Sequence, residues 1–333
     1  MALLVAFAQL GTARFTVEVV DEQTRIPMRG VNVTACFTSR YLRWDSKASV
    51  DTDQFAQTDK NGRCRFSGTT NCGDAWVRVM NHAGYYDSEI LKIPYTNANR
   101  TVCRPVWEPD NMVVTLKLQR VEHPIPLFVK YARRRVMQKD LSANGYRLKY
   151  DLRFGDWLPP FGNGRVGDME FDFSKVDVLR RYGEQVNYDA VPDNCKAQLT
   201  FPDSLNGIRW MGARRQTLKI RTAPESGYES VSEVGIKKFR NWGDIEPANP
   251  ENNFCFRIRT KLDGNGNIVE ANFGKIYGDI DVILNVGREN KVGIAVRFRY
   301  YLNPTSLDRN LEWDTKNNLN PVKPLAIDGY FTP

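Results

Sequence analysis

Histidine is nearly absent from this chain, with His82 and His123 the two copies in 333 residues. Catalysis by a serine or cysteine nucleophile needs an imidazole beside it and an acid to orient that imidazole. Zinc sites draw on the same side chain. His82 reads as the top of a strand and His123 lies in the expected linker just before Pro124, so neither chemistry is expected. The sequence has no C-x-x-C, no G-x-S-x-G and no phosphate-binding glycine loop. No cofactor or metal is expected on these grounds. It also has no apolar run long enough to span a membrane, so no transmembrane segment is expected. Long helical periodicity, internal repeats and low-complexity segments are missing too. The net charge is +8, but the basic surplus is spread over both halves. A nucleic-acid binder gathers its basic residues on one face or tail. The densest run, Lys130 to Arg135, falls in an alternating segment and reads as a solvated strand face. Nucleic acid is therefore not an expected partner.

What the chain has in abundance is alternation. Hydrophobic residues make up 41% of the sequence, enough to build real cores. Phe15, Val17 and Val19 alternate with polar neighbours, as do Val31, Val33, Ala35 and Phe37. The same period recurs in Val114–Leu118, Leu148–Phe154 and Ile294–Tyr300. A period of two with one apolar and one polar face belongs to an antiparallel sheet packed on one side. Asp59-Lys60-Asn61-Gly62 and Asp263-Gly264-Asn265-Gly266-Asn267 supply hairpin turns between such segments. The expected fold class is all-β, as two antiparallel β-sandwich-like domains in tandem. The proline-rich stretch 121–126 is the expected linker. It separates a first domain, 14–120, from a second, 127–333, whose tail from Asn317 should lie extended.

Residues 1–13 read as a clipped signal peptide. Ala2 to Leu10 is apolar apart from Gln9, and Gly11-Thr12-Ala13 offers the small residues of a cleavage site. The rival reading is a buried first strand. The six cysteines divide as Cys36, Cys64, Cys72 and Cys103 in the first domain and Cys195 and Cys255 in the second. Each set could pair internally, four among themselves and Cys195 with Cys255, as an oxidising compartment favours. Against this, Cys195 is in phase with inward residues and Cys255 with Arg257 and Arg259, so the two point to opposite faces. Free thiols in a cytosolic protein are the alternative. The signal and the cysteines together predict export to the periplasm, cell surface or medium.

Few residues carry candidate chemistry. Paired carboxylates can hydrolyse glycosides without histidine. The candidates are Asp156, Asp168, Glu170 and Asp172, and the pair Asp279 and Asp281. Glu170 and Asp172 alternate with Met169, Phe171 and Phe173 and so read as a wet strand face. Asp263-x-Asn265-x-Asn267 opens like a calcium loop but has Ile268 and Gly274 where a glycine and an acid belong. Tryptophans beside loop residues are better binding candidates, because an indole buries a large area at small entropic cost. Trp44, Trp157 and Trp242 are the expected ligand-binding residues. Each could instead cap the end of a core.

Three phrases in 15–120 carry a family likeness. Val19-Val20-Asp21 is followed by Thr24, Pro27 and Gly30-Val31-Asn32-Val33-Thr34. Gln57-Thr58-Asp59-Lys60-Asn61-Gly62 leads into Cys64-Arg65-Phe66. Trp76-Val77-Arg78-Val79 leads into Ala83-Gly84-Tyr85-Tyr86. In order and spacing they resemble the carboxypeptidase regulatory-like domain, a transthyretin-like β-sandwich. The loop 39–53 is longer than in that family, and 95–109 looks inserted. The resemblance implies an accessory module of secreted and surface proteins, with no peptidase activity. The phrases Gly155–Pro160, Tyr300–Thr305 and Arg309–Asp314 look like those of uncharacterised exported proteins from gut bacteria of the Verrucomicrobia and Lentisphaerae type. The expected function is non-enzymatic binding of a glycan or a surface protein partner. The alternatives are a structural subunit of a cell-surface assembly and a carboxylate-only hydrolase.

Overall fold

The computed structural model describes residues 11–42, 47–88, 90–98, 105–180, 192, 194–213, 220–239, 252–286 and 292–320. The chain divides into two compact units, with the break between Glu122 and His123. Nearly every described element is a strand.

The first unit contains β1 (Gly11–Asp21), β2 (Asn32–Leu42), β3 (Lys47–Gln57), β4 (Arg63–Thr70) and β5 (Asp74–Val79). It continues with β6 (Leu91–Pro94), β7 (Thr96–Asn97), β8 (Trp107–Glu108) and β9 (Met112–Leu118). One sheet has the order β4-β1-β9 and the other β3-β2-β5-β6, with β7 and β8 pairing separately. The inward residues of both sheets form one core. Phe15, Val17 and Val19 of β1 meet Val33, Ala35 and Phe37 of β2 and Val77 and Val79 of β5. The Phe15 ring lies 5.6 Å from both Phe37 and Phe66. Trp107 closes one end, its indole N–H donating to the Thr70 carbonyl at 3.0 Å. Asp59 builds the turn before β4 by accepting the amides of Asn61 and Arg63. Gly62 there has φ +71°, and a Cβ would lie 2.8 Å from the Val19 carbonyl, so only glycine fits.

The expected antiparallel character is broken at one place here. β9 returns to lie parallel to β1, Phe15 beside Met112 through Asp21 beside Leu118. Gly11, Thr12 and Ala13, which read in the sequence as a cleavage site, begin β1. Gly11, Thr12 and Ala13 pair with Thr70, Thr69 and Gly68, and Ala13 is fully buried. A side chain at Gly11 would collide with the Pro105 carbonyl. Gly11 and Ala13 are therefore fixed by packing while Thr12 is exposed, and cleavage after Ala13 would remove the start of β1. Residues 1–10 lie outside the described residues.

The second unit holds β10 (Ile125–Met137), α1 (Gln138–Ala143), β11 (Arg147–Asp151), β12 (Asp156–Trp157), β13 (Met169–Asp172) and α2 (Asp177–Arg180). There follow β14 (Lys196–Thr200), β15 (Gly207–Ala213), β16 (Val231–Phe239), β17 (Asn252–Leu262), β18 (Ile268–Tyr277), β19 (Asp281–Val286), β20 (Val292–Leu302) and β21 (Trp313–Asn318). Among the described residues its sheet has 12 strands, with the path β12-β11-β13-β14-β16-β19-β20-β18-β17-β15, β10 on β20 and β21 on β10. β10 occupies one edge of β20 from Gly293 to Leu302. On the other edge β19 takes residues 292–297 and β18 takes 300–302. Two wings therefore diverge from one strand, and both supply the same core. Leu148, Tyr150, Phe171 and Leu199 come from one wing, Phe256, Ile258 and Ile276 from the other. Packing of this kind is worth roughly 2 to 3 kcal/mol for each fully buried large side chain. A second cluster on the opposite face, Cys255, Ala271, Phe273 and Leu311 with Ala223, covers β17 and β18 from the other side. β16–β19 and β10–β21 are parallel.

The expected linker 121–126 is shorter than the proline pattern implies. Ile125 already pairs with Trp313 and donates its amide to the Glu312 carbonyl at 2.8 Å. The His123 amide donates to the Glu312 carboxylate, and the Asn310 amide side chain donates to the His123 carbonyl. Pro126 is tolerated in β10 because it sits at the irregular, bulged start of the β21 pairing.

Candidate functional site

Of the proposed binding tryptophans, Trp157 is corrected. It is 3% exposed and forms β12, packed edge-on against Tyr150 at 4.9 Å and near Phe171 and Phe298. The Gly155 turn and the prolines after it make the segment look like a loop. The loop's role is to fold this indole into the core. Trp44 and Trp242 lie outside the described residues. Among the described tryptophans, Trp107 and Trp313 are also buried and Trp76 is half-buried, under the Arg78 guanidinium 5.2 Å from its ring. The exposed one is Trp210, at 59%.

Trp210 sits on β15, the last strand on its side of the sheet, opposite Phe254 of β17. Gly212 follows with φ +112°, and the register shifts between Trp210 and Gly212. A bulge at this edge re-aims side chains and discourages further pairing. Polar groups extend from the indole. Its Nε1 donates to Asn252 Oδ1 at 3.3 Å. Asn252 Nδ2 donates to Asp279 Oδ1. Lys237 Nζ stands 3.8 Å from Asp279 Oδ2 and 2.7 Å from Asp281 Oδ1. Arg297, directly across β19–β20 from Asp281, donates to Asp281 Oδ2 at 2.9 Å. Asp281 is buried with both oxygens engaged, so it is the anchor of the strip. Trp210 and Lys237 are its exposed ends, with Lys237 48% exposed and Asp279 at 16% between them. A planar apolar ring beside an amide, a carboxylate and an ammonium suits a ligand with one apolar face and hydroxyl edges.

The other carboxylate candidates are held in structural roles. Arg147 and Lys149 stand directly opposite Asp172 and Glu170 across β11–β13. Lys149 Nζ is 3.1 Å from Glu170, and Arg147 Nε is 3.3 Å from Glu170 and 3.5 Å from Asp172. Asp156 accepts the Trp157 and Asn163 amides. Asp168 accepts the Leu152 amide and two guanidinium hydrogen bonds from Arg259, and Arg259 Nη2 also reaches Asp151 at 2.8 Å. Asp151 accepts the amides of Arg153, Phe154, Arg165 and Val166. This buried trio pins both ends of the 151–168 loop. Burial pushes the Asp168 carboxyl above the usual carboxylate range, against the pull of Arg259. Asp263 accepts the Asn265 and Asn267 amides and the Asn267 side chain, so its carboxylate closes a turn.

The cysteine pairings are corrected where the residues are described. Among the described residues, no disulfide joins Cys36, Cys64, Cys72, Cys195 and Cys255 to one another. Cys103 lies outside the described residues. Cys195 packs against the main core and its thiol faces the Pro192 carbonyl, whereas Cys255 is buried in the cluster on the opposite face. The opposed phases of the two residues keep them on opposite sides of the sheet. Burial raises the Cys36 and Cys64 thiols to about 11 and the Cys255 thiol to about 12. Such thiols are inert packing groups.

Sequence reasoning missed Trp210, Asn252 and Lys237. No motif marks Trp210, and its phase with buried Ile208 makes it look inward. Asp279 and Asp281 were legible as a pair but not as part of a strip built from β15, β16, β17 and β19. No protein-family model matches the chain, and no curated protein matches it. Among solved structures it matches the crystal structure of a DUF3823 family protein from Parabacteroides merdae ATCC 43184 with a TM-score of 0.21 and 8% sequence identity, over 87% of this chain and 99% of that one. A likeness of that size carries no argument about this chain's fold or function.

Proposed function

We propose that this is a non-enzymatic, exported protein that binds a glycan, with Trp210 and the Asn252–Asp279–Lys237 strip as its site. The observation that carries the reading is the exposed indole of Trp210, oriented by its hydrogen bond to Asn252. A sugar ring stacks its C–H face on an indole and offers hydroxyls to the polar groups beside it. Export rests on the apolar residues before Gly11 and on the likeness of residues 15–120 to carboxypeptidase regulatory-like accessory modules. The looser likeness of the second part to exported gut-bacterial proteins points the same way. The cysteines no longer contribute to this argument.

The experiment is a broad glycan and mucin array probed with the full chain and with Trp210→Ala, Trp210→Phe and Asp279→Asn. A selective signal lost in Trp210→Ala and partly kept in Trp210→Phe supports the reading. A signal untouched by all three variants puts the glycan elsewhere on the chain. A blank array rejects a glycan and leaves a surface protein as the ligand class. Product analysis on the same glycans tests the non-enzymatic part: turnover abolished by a single Asp or Glu change would replace binding with hydrolysis.

A further inference from the structure

We infer that the outer edge of β3 accepts an extended, basic strand from a partner protein, extending the β3-β2-β5-β6 sheet. β3 ends that sheet, and among the described residues no strand pairs with its other side. It runs 11 residues against β2 in one unbroken register, Asn32 opposite Gln57 through Leu42 opposite Lys47. Long edges of this kind are usually blunted by proline, by charged side chains or by a bulge. β3 has no proline and no bulge, and the charges it carries from Ser49 to Gln57 are both acidic. The edge β15 in the second unit, by contrast, is bulged at Gly212.

The side chains of β3 define what would fit. Asp51, Asp53 and Phe55 alternate on the face away from the core, opposite Thr38, Cys36 and Thr34. Asp51 and Asp53 are exposed, and Phe55 is 77% exposed. On the other face Val50 is 53% exposed at the sheet's rim. Like charges directly opposite one another destabilise a strand pair, and opposite charges stabilise it. A second copy of β3 would bring carboxylates against carboxylates, so the same residues that exclude self-pairing select lysine or arginine. The complementary strand carries cations opposite Asp51 and Asp53, an apolar group beside Phe55, and small branched residues between them to cover Val50. Backbone hydrogen bonds would supply affinity and this alternation the specificity. The surface lies in the first unit and is independent of the Trp210 site.

The test uses a fluorescent nine-residue peptide of alternating lysine and valine, read by anisotropy against the full chain at low salt. Three comparisons accompany it: a glutamate–valine peptide, the lysine–valine peptide N-methylated at alternate residues, and the Asp51→Lys/Asp53→Lys protein. The expected result is binding of the lysine–valine peptide alone, weakened at least about tenfold in the double variant. N-methylation blocks strand pairing without changing charge, so equal binding of the methylated peptide would reduce the effect to electrostatics and overturn the inference. No binding of the lysine–valine peptide, or undiminished binding to the double variant, would overturn it as well. Because both Asp residues are exposed, the variant should fold; the methylated peptide tests the same point on the unaltered protein.

Discussion

The two units place charge differently. In the first, ion pairs sit at the rim of an apolar sandwich: Arg14 with Asp110, Arg63 with Glu18, and Arg120 with Asp21. In the second, several charges also lie inside: Arg297 with Asp281, Arg259 with Asp151 and Asp168, and Lys275, whose ammonium donates to the Ile220 carbonyl. The difference follows from sheet size. A sheet of three or four strands turns one face to its core and leaves the other wet. The central strands of the 12-stranded sheet are covered on both faces, as β19 is at every position. Residues that alternate as a wet face are then buried and must find partners, because an unpaired buried charge costs several kcal/mol.

The largest effect should come from removing Arg259. Arg259→Met would leave Asp151 and Asp168 buried without their cation, at a cost of about 3 to 5 kcal/mol. Hydrogen exchange on the full chain should show this as lost amide protection in β11 and β13, with the first unit unchanged. Arg259→Lys should fall between, since lysine keeps the charge but cannot bridge two carboxylates with a planar fork. Normal protection in Arg259→Met would mean the second unit does not depend on its internal charges.

Lys275 gives the next effect, and it depends on pH. Its Nζ donates to the Ile220 carbonyl at 3.0 Å and lies 5.1 Å from the Tyr301 ring centroid, with Cys255 directly across the β17–β18 pair. Burial lowers its pKa from 10.5 to about 8. Between those values the unfolded chain holds a proton that the folded chain has released, so stability rises with pH through that window. The gain approaches about 3 kcal/mol by pH 10.5 and is absent below pH 8. Lys275→Met should remove the rise, read as protection of β18 across the same pH range. An identical rise in that variant would assign it to other groups.

Asp21 tests the first unit from the acid side. It caps the turn after β1 by accepting the Thr24 and Gln23 amides, and it also accepts Tyr85 Oη and Arg120. The Thr24 amide is the main cause of a pKa lowered from 3.8 to about 2, with Tyr85 adding to it against burial. The depressed value stabilises the fold above pH 4, and that contribution, up to roughly 2 kcal/mol, is lost as pH falls toward 2. Asp21→Asn should flatten the acid loss in β1 and β9 protection while leaving the alkaline rise of β18 intact.

These contrasts were only partly legible in the sequence. The strands of the first unit follow from alternation, because one face of each sheet is solvated. Arg297 and Arg299 follow the same rule on paper, yet β20 is covered on both faces and Arg297 becomes the partner of Asp281. Arg259 escapes the pattern for a different reason. It has φ +55° at a register shift between Ile258 and Lys261, which breaks the alternation and turns the guanidinium to the 151–168 loop. Trp157 was read from its glycine and proline neighbours as a loop residue, and a two-residue strand leaves no period to correct that reading. The candidate site was the least legible part, since Trp210, Asn252, Lys237 and Asp279 meet only through strand order.

The smallest effect bears most directly on the comparison. Arg63 donates to Glu18 at 2.9 Å, but the arginine side chain is 51% exposed and the glutamate 24%. The two stand opposite each other in the β1–β4 pair, where water competes for both and salt screens them. A double-mutant cycle of Arg63→Met and Glu18→Gln should give a coupling of about 0.2 to 1 kcal/mol, reduced further in high salt. The same cycle on Arg297 and Asp281, also directly opposite but buried, should give a coupling severalfold larger and nearly insensitive to salt. Equal couplings would mean that strand pairing alone sets the strength of these ion pairs. Unequal ones would assign the difference to burial on both faces of the larger sheet.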